Sequence, residues 1–92
     1  MLCRIFNEDV HGKLVEHRES EISADYIRER ADSFLRCVED EVVCVVIGGK
    51  GYWITNEDGL KVEWLYGDWG YVSETFADVE ALCKWLEKKG VK

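Results

Sequence analysis

The chain contains no proline and has no serine- or glycine-rich run, so neither a linker nor a disordered tail is expected. Histidine occurs only twice, as His11 and His17, and both read as polar surface residues of a hairpin. The four cysteines, Cys3, Cys37, Cys44 and Cys83, form no C-x-x-C or C-x-x-H pair. Each stands beside apolar residues, where a free cysteine behaves as a small hydrophobe. Buried, reduced thiols are the main reading; a disulfide or a zinc site drawn from distant parts of the chain are the lesser ones. No G-x-S-x-G, H-E-x-x-H or phosphate-loop pattern occurs, so no enzyme, catalytic residue, metal or cofactor is expected. The longest apolar run, Val42 to Gly49, falls far short of the ~20 residues that span a bilayer. MLCRIFNEDV at the N-terminus lacks the basic and apolar regions of a signal peptide, which makes a cytoplasmic protein without membrane association the expectation.

Positive charge is scarce only in the middle of the chain. The net charge of −7 is concentrated between residues 39 and 80, where ten acids face only Lys50 and Lys61. Such a field repels phosphates and attracts basic surfaces, which argues against direct nucleic-acid binding. With 92 residues and a 47% apolar composition, the chain fits one domain spanning 1–92.

The stretch 41–72 gathers six of the eleven aromatics and six of the eight glycines. Val42 to Ile47 is apolar at both parities, as in an interior strand covered on both faces. Gly48-Gly49-Lys50-Gly51 precedes strand-like residues rather than a helix, so it reads as a hairpin loop and not a phosphate cradle. Tyr52 to Thr55 follows, then the turn Asn56-Glu57-Asp58-Gly59. Leu60 to Tyr66 alternates, with Leu60, Val62, Trp64 and Tyr66 on one face and Lys61, Glu63 and Leu65 on the other. Trp69 to Val72 makes a last short extended segment. Ahead of this stretch, residues 2–6 and 13–18 read as a hairpin around NEDVHG.

Two helices complete the pattern. In the first, Ser23 is the N-cap and Ile27, Ala31, Phe34, Leu35 and Val38 form one apolar face, with Arg28–Asp32 and Asp32–Arg36 pairs expected outside. For the second, Thr75 and Asp78 read as a capping box, Phe76, Val79, Leu82, Cys83 and Leu86 as the buried stripe, and Gly90 as the stop. Trp85 falls at the margin of that stripe, as half-buried packing or as a partner anchor. The result is an α+β, two-layer fold: an antiparallel sheet with two amphipathic helices on one face, in the order ββαβββ(β)α.

From the first helix onward this order resembles that of the double-stranded RNA-binding domain. That family holds phosphates with lysines at the start of its last helix, whereas Thr75 to Leu82 carries Asp78, Glu80 and no base, so RNA binding does not carry over. By size and charge, the chain resembles the short acidic proteins, anti-CRISPR proteins and DNA mimics among them, that phages and mobile elements turn against host defences. The resemblance implies an inhibitor or regulator of a basic, nucleic-acid-handling partner protein. The expected partner-binding residues are Trp53, Glu57, Asp58, Glu63, Asp68, Trp69 and Tyr71: aromatics are the commonest interface anchors, and carboxylates here would surround them. Two alternatives use the same aromatics, a small-ligand or peptide-binding sheet face and a homodimer; in a third, the rings merely fill the core.

Overall fold

A computed structural model of the chain describes residues 1–68 and 70–91. Six strands form one antiparallel sheet: β1 (Leu2–Glu8), β2 (Leu14–Glu21), β3 (Val42–Ile47), β4 (Lys50–Asn56), β5 (Leu60–Leu65) and β6 (Tyr71–Phe76). Their order across the sheet is β2-β1-β3-β4-β5-β6. Strands β3 to β6 follow one another as a meander, and the β1–β2 hairpin joins through β1 against β3. The turn between β3 and β4 follows from its glycines. Gly48 and Gly49 take φ of 59° and 80°, the two left-handed positions that let a two-residue loop match the sheet twist.

Among the described residues, three helices cover one face: α1 (Ala24–Glu29), α2 (Ala31–Asp40) and α3 (Val79–Lys88). The fold class is therefore the expected α+β arrangement, with one difference. The first amphipathic helix is broken at Arg30, which takes φ −123° and ψ 36° between α1 and α2. No glycine or proline marks the break; α1 packs on α3 whereas α2 packs on β3 and β4, and one straight helix does not meet both surfaces. Ser23 caps α1 as expected, its hydroxyl accepting from the Tyr26 N–H at 3.1 Å.

At the start of α3 the expected capping box is displaced. Thr75 belongs to β6, and Asp78 is the N-cap, accepting from the Ala81 N–H at 2.8 Å. The T-x-x-D pattern is real, but β pairing of Thr75 with Lys61 claims the first residue for the sheet. The other end of α3 is as expected. Gly90 has φ 98°, its N–H reaches the Glu87 carbonyl and that of Val91 the Leu86 carbonyl, and Val91 is buried.

The core lies between helices and sheet. The row Ile5–Val43–Ile54–Val62, one residue from each of four adjacent strands, is almost wholly buried. Ala24, Ile27, Leu82, Cys83 and Leu86 meet it from α1 and α3. Fully burying such a side chain contributes roughly 1.5–3 kcal/mol. No helix among the described residues is long and apolar enough to cross a membrane.

Candidate functional site: the open face of the sheet

Alternation along the strands sends every second side chain to the face that no helix covers. On the central strands this face carries the row Arg4–Cys44–Trp53–Glu63–Ser73, paired strand by strand from β1 to β6. Phe6 lies next to it, its ring centroid 5.7 Å from that of Trp53. The Arg4 guanidinium sits 5.2 Å above the Phe6 ring. Cys44 is buried beneath this layer, and its sulfur lies 3.2 Å from where a side chain on Gly51 would begin. Gly51 is thus the position at which the Cys44 sulfur has room. Toward β6 the face continues in Leu65 and Tyr71, paired with each other and 53% and 70% exposed.

Carboxylates surround this strip. By strand parity, Glu8, Glu16, Glu19, Glu21 and Glu63 point to the open side, against Arg4 and Lys61. Arg4 holds Glu16 through two hydrogen bonds of 3.1 and 2.9 Å, and Glu19 lies 3.9 Å away. The bonded guanidinium keeps the Glu16 carboxyl below its ordinary range, and Glu16 in turn raises Arg4. Lys61 pairs with Glu63 at 2.9 Å, and that bond raises its pKa, with smaller contributions from Glu57 and Asp58. Both pairs are solvent-exposed and so hold orientation more than they stabilise.

Of the residues expected to bind a partner, Trp53, Glu63 and Tyr71 share this face, and Trp53 is paired directly with Glu63. Glu57 and Asp58 are exposed in the β4–β5 turn at one end of the sheet; Asp68 is exposed in the β5–β6 turn at the other. Trp69 lies outside the described residues. The seven are thus a central strip with acids at its two ends rather than one compact patch. Leu65, expected on the face of Lys61 and Glu63, belongs to the same surface; Phe6 and Arg4 belong to it too and were missed, since they arrive only because β1 pairs with β3 across the helical segment.

Four further aromatics are on the helix side. Tyr52, Trp64, Phe76 and Trp85 form a connected cluster with centroids 5.5 to 5.7 Å apart. Tyr52 is buried and the rest are half-buried, so Trp85 is packing rather than a free anchor. Lys89 lies 5.2 Å from the Trp85 ring and 5.7 Å from Trp64, covering the outer edge of the cluster.

The expected Arg28–Asp32 pair does not form. Arg28 reaches instead to Asp25 at 2.9 Å, Glu80 at 2.8 Å and Glu87, tying α1 to α3; the three carboxylates raise its pKa, Glu87 most. All four cysteines are free; Cys3, Cys44 and Cys83 are buried and Cys37 half-buried. Burial pushes the Cys3 and Cys83 thiols up to about 11. No group of three metal-ligating side chains occurs among the described residues.

No protein-family model, curated protein or solved structure matches this chain.

Proposed function

We propose that the chain is a small acidic binding module that docks its open sheet face on a basic surface of a nucleic-acid-handling protein and regulates or inhibits it. The observation that supports this reading is the uncovered strip of Phe6, Trp53, Leu65 and Tyr71 with more carboxylates than cations around it. A strip of this kind combines the two parts of a tight interface: aromatic anchors that lose water on docking, and a charged rim that steers the encounter. The rim carboxylates compete for the arginines and lysines that would otherwise hold phosphates. An inhibitor of the anti-CRISPR or DNA-mimic type is the most specific form of this reading.

The test is capture of partners from the native host by the wild-type chain, by Trp53→Ser and by Glu63→Gln, each washed at rising ionic strength. The expected result is one partner released by salt, lost with Trp53→Ser and weakened with Glu63→Gln. A catch indifferent to both salt and substitution would refute the proposal. Concentration-dependent dimers lost with Trp53→Ser would give the face to a second copy instead.

A further inference from the structure

The helix-covered side holds a groove with no part in that reading. It opens between β2 and the joint of α1 and α2, with a volume of about 260 Å³. Its inner wall is apolar: Ile5, Ile27 and Val43 are buried there, and Phe34 is half-buried. The break at Arg30 shapes it, because α1 presents Tyr26 and Ile27 to the groove while α2 presents Ser33, Phe34 and Cys37 from a different direction.

Two arginines stand on its lining. Arg30 lies over Tyr26, its Cζ 4.1 Å from the ring centroid. Arg18 places Nη2 3.8 Å from the Cys37 sulfur and makes no ion pair among the described residues. None of the twelve lining residues is acidic. At the average frequency of this chain, 19 acids in 92 residues, two or three of the twelve would be. Two carboxylates outside the lining bond to residues of it: Glu29 at 3.4 Å from Arg30 Nη1, and Glu41 at 3.7 Å from the Cys37 sulfur. In a strongly acidic protein, this is a concave apolar surface with only positive charge on it.

We infer that the groove binds a small organic carboxylate with an apolar body, the carboxylate held by Arg18 and Arg30 and the body laid on Ile5, Ile27, Phe34 and Val43. An apolar cleft with a few convergent polar groups is the usual form of a ligand site. The fork of an arginine matches a carboxylate geometrically, which a lysine does not. Size sets the class: a dry apolar cavity of ~150 Å³ accepts benzene, so this volume takes an alkyl or aryl body of about eight carbons.

Octanoate is the probe, with octanol as its neutral counterpart and inorganic phosphate as a bare anion. Amide chemical shifts of the isotope-labelled chain are followed during each titration. Octanoate is expected to give saturable shifts confined to the groove segments Cys3–Ile5, Arg18–Ile22, Tyr26–Arg30, Ser33–Cys37 and Val43, with octanol and phosphate each at least about tenfold weaker. Arg18→Gln with Arg30→Gln should remove the preference for octanoate over octanol, whereas Arg36→Gln, exposed on α2 outside the lining, leaves it unchanged. Equal binding of octanol, tighter binding of phosphate alone, shifts on the open sheet face, or a preference that survives the double substitution would each overturn the inference. The comparison of probes uses the unaltered chain, so it stands even if the double variant folds poorly.

Discussion

Ile54 and Trp53 are neighbours in β4 and point to opposite sides of one sheet. On the helix side, Ile54 belongs to a row that is almost wholly buried, with apolar partners from β1, β3 and β5 and helices above it. On the open side, Trp53 shares its row with Arg4 and Glu63, packs on Phe6 and stays half-buried. Both rows belong to the same antiparallel ladders. The difference lies in what covers the side chains: the closed face derives its strength from excluded water, the open face from aromatic contact and ion pairs that remain in water. Stability therefore resides mainly on one side, and the exposed aromatics and ion pairs lie on the other.

Three substitutions would break or sharpen this contrast. Ile54→Ala should have the largest effect, a loss of about 3 kcal/mol in urea denaturation, because the helices above it close the cavity only in part. A loss under about 1 kcal/mol would mean the closed face is looser than its burial implies. Arg4→Gln should have a smaller, pH-dependent effect. The Glu16 carboxyl is depressed in the folded chain, so its contribution is present above the unfolded value of 4.5 and is lost as pH falls through the lower folded value. The gap in unfolding midpoint between wild type and Arg4→Gln should accordingly be open at pH 7 and close on acidification below 4.5; a gap that is constant with pH would place the role of Arg4 in its contact with Phe6. Tyr71→Ser should change stability least, within about 0.5 kcal/mol, since the ring is 70% exposed on an edge strand. A larger loss would show that the open face supports the fold as well.

Much of the closed face was legible in the sequence. The alternation of Leu60, Val62 and Trp64 placed them on one side, the two-parity apolar run of Val42 to Ile47 placed β3 in the interior, and Gly90 marked the end of α3. Each of these signals is local, carried by residues within one or two turns or pleats of each other. The open face was legible in Trp53, Glu63 and Tyr71, whose parity is local too, but not in Phe6 and Arg4. Their neighbours are some 40 residues away in β3 and β4, and nothing short-range announces that pairing. The break at Arg30 was hidden for a similar reason: the segment is amphipathic from Ile27 to Val38, and only the two different surfaces beneath it separate α1 from α2. The partners of Arg28 lie on α3, so the nearer Asp32 was the natural but mistaken choice.

The seam between β1 and β3 has a further consequence, for the order in which the molecule assembles. Every other strand pair is made by chain neighbours joined through a short turn, and such hairpins close quickly. The seam alone pairs residues as distant as Leu2 and Val46, with β2, α1 and α2 looped out between them. Two hairpin-built halves, β1–β2 and β3–β6, therefore meet along one line, and closing that long loop is the entropic barrier. Cys3, Ile5, Val43 and Val45 lie on that line, so substitutions there are expected to slow folding more than substitutions within either half.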